Sequence, residues 1–261
     1  MSHPIRPAES PAIPRRGLRP FALEIGYEFI RLARTRVYSL SVIGFPLMFY
    51  LLFAVSNQHT PIAKYLIASY SCLGLGSACL FGIGLGIAFE RAQGWLELKW
   101  ASPMPRLAYL LAKMASSAAF ALIVMTALIG LGTTLGGVSV SPGQVAGLAG
   151  VLLLGSVPFT ALGLLIGLTL PPTAGPGLIN LIYLPLSFAS GFFMPIAMLP
   201  HWLQVIAPAL PTYQLAQLAL AAFGFAPRAG SLLQGLVLAG FSVLMFAAAW
   251  ITFVRVQARA Q

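Results

Sequence analysis

The sequence predicts an all-α integral membrane fold. It has six transmembrane helices, an N-terminal amphipathic interface helix, and short re-entrant outer helices between spans five and six. Three observations lead there. The residues AVILMFWYC make up 59% of the 261-residue chain, with 26 glycines besides, where soluble domains hold about 45–50% for that combined set. Charged residues are 8%, against roughly 25% in soluble chains, too few to cover a soluble surface. Six apolar runs each reach the ~20 residues needed to cross a bilayer.

Residues 1–20 hold five prolines and four arginines and no apolar core, the composition of a disordered tail. The first long apolar run begins only at Val37, too late for a cleavable signal peptide. Residues 21–36 are amphipathic: Glu24, Glu28, Arg31 and Thr35 share one side, and Phe21, Ile25, Phe29, Leu32 and Ala33 cover the other. Those two faces suit a helix lying in the membrane interface. The transmembrane domain then runs over 37–255, with spans expected at 37–55, 62–89, 107–135, 144–170, 177–197 and 231–254, and 256–261 forms a short C-terminus.

The chain carries 15 Lys and Arg against 5 glutamates and no aspartate, a net charge of +10. A basic balance can signal nucleic acid or anionic lipid, but topology accounts for it. With the N-terminus inside, 13 of the 15 basic residues lie at or near cytoplasmic helix ends, leaving Lys64 and Arg228 outside. Both termini are therefore expected in the cytoplasm, with membrane lipid and not nucleic acid as the surrounding partner.

Two joints are more than connectors. Residues 90–106 are too polar to cross and contain Trp95, Leu98 and Trp100, with room for a short helix before Pro103 and Pro105. Residues 198–230 are apolar but broken by Pro200, Pro208, Pro211 and Pro227. Two short helices dipping into the outer leaflet fit this pattern.

Catalytic chemistry has little material. His3, His59 and His201 are scattered, without metal-ligand spacing. Cys72 and Cys79 are seven residues apart on one helix, a rise of about 10 Å that no disulfide bridges. Gly82, Gly84 and Gly86 lie inside an apolar span, and none of Lys64, Lys99 and Lys113 follows a glycine, so no phosphate-binding loop exists. These glycines, like Gly163 and Gly167, are spaced for close helix packing. Every acid lies within the first 97 residues and outside the hydrocarbon, so an ion-coupled carrier would lack its usual carboxylate.

Two helical stripes are candidates for a translocation path. Asn180, Tyr183, Ser187 and Ser190 share one side of the fifth span, and Tyr65, Ser69, Cys72, Gly76 and Cys79 cluster on the second. Ordinary helix packing explains both equally well.

The run Glu90-Arg91-Ala92-Gln93-Gly94-Trp95-Leu96-Glu97, then Ala101-Ser102-Pro103, Arg106 and Leu110-Leu111-Ala112-Lys113, resembles the cytoplasmic loop of ABC transporter type-2 permeases. In that family the loop usually reads E-R-x-x-G-T-L-E, then S-P, then a lysine early in the third span. Ser190-Gly191-Phe192-Phe193-Met194-Pro195, Leu199-Pro200, Pro208 and Pro211 are similar to the family's segment around the fifth span and its outer helices. The resemblance covers about residues 21–255. Trp95 departs from it, where the family commonly has threonine, as does Trp100.

The resemblance implies half of an export permease in a bacterial cytoplasmic membrane. It would pair with a second permease copy or relative and dock a cytoplasmic ABC ATPase subunit that carries the ATP and Mg; this chain would hold no cofactor and hydrolyse nothing. Glu90, Arg91, Gly94, Leu96, Glu97, Ser102, Pro103 and Arg106 would contact the ATPase. Tyr65, Ser69, Cys72, Asn180, Tyr183, Ser187 and Ser190 would line the path, and Pro200, Pro208 and Pro211 would belong to the outer gate. An uncharged lining favours a lipophilic or amphipathic cargo such as a drug, lipid or glycan-like molecule. The rival readings are a passive channel or secondary carrier without an ATPase, and an intramembrane enzyme, for which Glu90 and Glu97 without a nearby histidine are poor material.

Overall fold

The computed structural model describes residues 19–54, 57, 59–95, 98, 106–227 and 230–258. Regular structure among them is helical: α1 (Arg19–Arg34), α2 (Arg36–Ala54), α3 (Pro61–Ser77), a π-helical stretch (Ala78–Leu85), α4 (Gly86–Ala92), α5 (Arg106–Thr134), α6 (Pro142–Thr169), α7 (Gly175–Ala189), α8 (His201–Ile206), α9 (Pro211–Phe223) and α10 (Ser231–Ala258). Helices Arg36–Ala54, Pro61–Ala92, Leu107–Thr134, Pro142–Thr169 and Ser231–Phe253 are long and apolar enough to cross a membrane. They correspond to expected spans one to four and six.

The fifth span is shorter than expected. A helix over 177–197 was the sequence expectation, but α7 stops at Ala189 after 15 residues, about 22 Å of rise against ~30 Å of hydrocarbon. Gly191 ends it, with φ +79, a conformation that side chains disfavour. The Gly191 N–H donates to Phe188 O and the Phe192 N–H to Ser187 O, both at 3.1 Å, closing the helix end. Two short helices do occupy 198–230: the stretch His201–Ala209 meets α9 at a 91° bend. Its prolines start helices as well as break them, since Pro211 sits in the first turn of α9, where its missing N–H costs nothing. In the same way Ser141 and Gln144 form a capping box on either side of Pro142, so α6 begins earlier than the expected 144.

The second span is the axis of the bundle. Every residue from Tyr65 to Leu80 is buried, and α2, α5, α6 and α9 pack around α3. Small residues permit this. A Cβ on Gly163 would lie 2.8 Å from Cys79 O, and one on Gly167 would lie 2.7 Å from Gly84 O, so spans two and four touch backbone to backbone. Apolar run length alone does not reveal the π stretch. At its start the Ala78 carbonyl accepts from Tyr38 Oη at 3.2 Å and Ser117 Oγ at 3.3 Å, which stabilises a carbonyl at the entrance to the wider turns. By contrast α10, equally apolar, is largely exposed and packs on α6 and α9.

Helix α1 forms as expected, but its charged stripe does not face outward. Glu28 is 4% exposed, while Leu23, Tyr27 and Ile30 are open. Phe29 packs on Phe120 with ring centroids 5.4 Å apart, and Leu32 joins Tyr38, Val42, Ala78 and Phe120 in a small core. The cause is Lys113, a cation inside the third span that draws the α1 acid inward.

Contacts also sort the joints into two ends. One gathers α1, α4, the start of α5 and the end of α6. The other gathers His59 on Gly136, and Gln144 on Phe223. This is the grouping of joints inferred from the basic residues.

Candidate functional site

Glu90 and Arg91 occupy the last turn of α4, at the foot of the 90–106 segment. Gly94 ends that helix with φ +72, its N–H donating to Arg91 O at 3.2 Å. Beyond it Trp95 and Leu98 are exposed. Leu96, Glu97, Ser102 and Pro103 lie outside the described residues, and Arg106 opens α5.

The Glu90 side chain does not point toward Trp95 and Leu98. It is 3% exposed and belongs to a cluster of two acids and two bases, of which Glu28, Glu90 and Lys113 are buried and Arg31 is partly open. Lys113 Nζ lies 3.0 Å from Glu28 Oε1 and 3.0 Å from Glu90 Oε1. Arg31 reaches Glu28 at 2.6 Å and Glu90 at 3.0 Å. Tyr109 Oη donates to Glu90 Oε2 at 2.6 Å. The four formal charges cancel, and each carboxylate meets both bases, which is what makes burial tolerable. Burial pushes the Glu28 carboxyl up, but Lys113 and Arg31 together outweigh it and hold the group below its ordinary value. Burial likewise works against the Arg31 guanidinium, and Glu28 and Glu90 overcome it, so its pKa is raised.

Arg91 faces another way. Its guanidinium donates to Leu168 O and, at 2.9 Å, to Leu170 O, supplying donors to carbonyls that the end of α6 leaves unpaired. The family resemblance implies an ATPase contact for Glu90 and Arg91, and the sequence alone assigns no ion-pair partner to Glu28 or Lys113. The available signal was the isolated Lys113 in an apolar helix, because such a charge needs an opposite partner.

The two stripes come together, and side chains fill the space between them. Tyr183 Oη donates to Leu73 O at 2.7 Å, and a Cβ on Gly76 would lie 2.2 Å from Tyr183 Oη. Tyr65 Oη donates to Gly191 O at 2.6 Å, and Ser190 pairs with Thr212. Ser187 bonds to Tyr183 O, and Cys72 Sγ lies 3.9 Å from Leu215 O. Ser69 is buried. Six of the seven predicted path residues are therefore packed inside the chain; Asn180 alone of that set is exposed.

Open space lies beside them. A cavity of about 1040 Å³ runs between the α1–α2 corner, the π stretch and α7. Arg31, Tyr38, Phe81, Asn180 and Tyr183 are among its walls, which are mainly apolar. At the other end, Pro200 precedes α8, and Gln214 on α9 donates to Pro208 O, tying the bent pair together next to Pro211. No group of three or more His, Cys, Asp or Glu that could hold a metal occurs among the described residues.

Residues 21–224 match the family described as ABC-2 type transporter. The chain is also similar to "Putative transport permease YvfS" of Bacillus subtilis (strain 168), with 29% identity over 194 residues, 71% of this chain and 78% of that one.

Proposed function

This chain belongs to the ABC-2 type transporter family, and from that premise we propose that it is the membrane half of an ATP-driven exporter. It is a multi-pass membrane subunit of a transporter, built for movement of cargo and not for chemistry. A second permease copy or relative completes the pore. A cytoplasmic ABC ATPase, holding ATP and Mg, docks at the end that carries α1 and α4, so both termini are cytoplasmic in a bacterial inner membrane. One observation supports the docking assignment above others. The helix that emerges from the bundle at Glu90 is stopped by the left-handed Gly94, and Trp95 and Leu98 then stand exposed at the end where basic residues collect. Exposed aromatic and aliphatic side chains beside charge are the usual core of a protein contact.

The mainly apolar cavity supports a lipophilic or amphipathic cargo, since its volume suits a drug-sized molecule or part of a lipid. Outward movement would pass the bent α8–α9 pair. The test is co-purification of tagged protein from its native host in mild detergent, with Leu98→Glu and Glu97→Arg alongside. An ATPase with nucleotide-binding motifs should accompany the wild type and weaken in both variants. Absence of any ATPase across several detergents would refute the reading and favour an unpowered channel or carrier.

A further inference from the structure

Glu90 and Arg91 are adjacent in sequence, yet they engage different parts of the bundle. Glu90 meets Lys113 on α5 and Arg31 on α1. Arg91 meets the carbonyls of Leu168 and Leu170, where α6 ends. We propose that this pair is a fork, held by Lys113, through which a push on the 90–106 segment changes the width of the cavity between α2 and α7. The proposal rests on the ATP-driven reading above and deepens it by assigning positioning residues.

Each tine continues to one wall. On the Glu90 side, Lys113 bridges to Glu28, fixing α1 to the root of the segment. The corner from α1 to α2 is itself hydrogen-bonded: the Thr35 N–H donates to Arg31 O at 3.2 Å and Ser39 Oγ to Leu32 O at 3.0 Å. Motion of α1 therefore carries α2, whose Val37, Leu40 and Phe45 line the cavity. On the Arg91 side, the joint from α6 to α7 is compact. Gly175 N–H donates to Pro171 O at 3.0 Å and Leu178 N–H to Ala174 O at 3.1 Å, so displacement of the α6 end reaches α7. Pro176, Asn180 and Tyr183 of α7 form the facing wall.

The direct route up the second span is the softer one. Immediately above α4 that span is π-helical over Ala78–Leu85 and contains Gly82 and Gly84, and such interruptions are where helices bend. A load applied at Glu90 and Arg91 passes sideways into paired charges and capped carbonyls before it passes along a weakened axis.

The experiment uses the full permease with its co-purified ATPase. Cysteines replacing Val37, which lines the cavity on α2, and Leu181 on α7, beside the wall residue Asn180, both exposed, receive spin labels, with labelled chains diluted by unlabelled ones. Distances are measured without nucleotide and after trapping with ADP-vanadate. Wild type should show a shift between the two states. Lys113→Met should lose that shift while the ATPase stays bound and hydrolyses ATP, and Lys113→Arg should restore it. If Lys113→Met fails to accumulate, Glu28→Gln, which keeps the side-chain shape, should give the same loss. A shift of wild-type size in Lys113→Met, or in Glu28→Gln where that variant stands in, overturns the fork, as does loss of the ATPase from either. No shift in wild type with ATPase bound overturns the fork and leaves ATP-driven transport standing. No ATPase at all overturns the parent reading.

Discussion

At the α4 end, Glu28, Arg31, Glu90 and Lys113 join three helices by charge, with both carboxylates and Lys113 buried and Arg31 open to the cavity. At the opposite end the connections are neutral. Tyr65 bonds to Gly191 O, Ser190 to Thr212 and Gln214 to Pro208 O, while Phe188 and Phe193 stack with centroids 4.2 Å apart. A buried charge cluster fails badly when one member is lost, because the others remain charged and unpaired. A set of neutral hydrogen bonds loses its members one at a time, each at modest cost. The first end therefore behaves as a rigid block, and the second can rearrange around its 91° bend.

The largest expected break in this comparison is Lys113→Met. It strands two buried carboxylates against a single guanidinium and should cost about 3–5 kcal/mol, seen as a lower unfolding midpoint in detergent. Next comes Gly167→Ala. Its Cβ would sit 2.7 Å from the Gly84 backbone oxygen, forcing spans two and four apart for roughly 1–3 kcal/mol, near the charged end but by packing alone. Tyr65→Phe tests the neutral end. It removes the 2.6 Å bond to Gly191 O and should cost about 1–2 kcal/mol, with hydrogen exchange rising locally around 191–194 while α1 stays protected.

A pH series sharpens the contrast. Glu28 is held below its ordinary value of 4.5, so its contribution is complete above that pH and is lost as pH falls through the lower folded value. Exchange in α1, corrected for intrinsic rate, should stay flat from neutral pH down to the ordinary carboxylate range and rise only below it, while exchange around Gly191 should not respond. The smallest effect belongs to Leu98→Ser, an exposed position, within about 0.5 kcal/mol on stability but with clear weakening of ATPase co-purification.

Much of the fold was legible because a bilayer imposes simple rules. Five of the expected spans follow from unbroken apolar length, and the sorting of joints into two ends follows from the basic residues. The fifth span was overestimated because 190–197 remains apolar after the helix has stopped, and hydropathy does not register a left-handed glycine. The sequence places Glu90 and Arg91 where the 90–106 segment begins, and the structure puts them in the last turn of α4. The inward direction of Glu90 was not legible, because it depends on Lys113 lying alongside from another helix. The two polar stripes meet in the structure, but whether a stripe is packed or open depends on what fills it, here Tyr183 against Gly76.

The sequence by itself determined that this chain is a polytopic helical membrane protein, since that property depends on composition and run length. Only the tertiary structure decided which apolar helix is central, which way α1 turns its charges, and where the open cavity lies. Spans two and six are similarly apolar, yet one is buried and the other largely exposed. Lipid tails and helix neighbours are equally apolar solvents for a side chain, so hydrophobicity cannot choose between them. Backbone approach at small residues and the pairing of buried charges make that choice, and both need partners from distant parts of the chain.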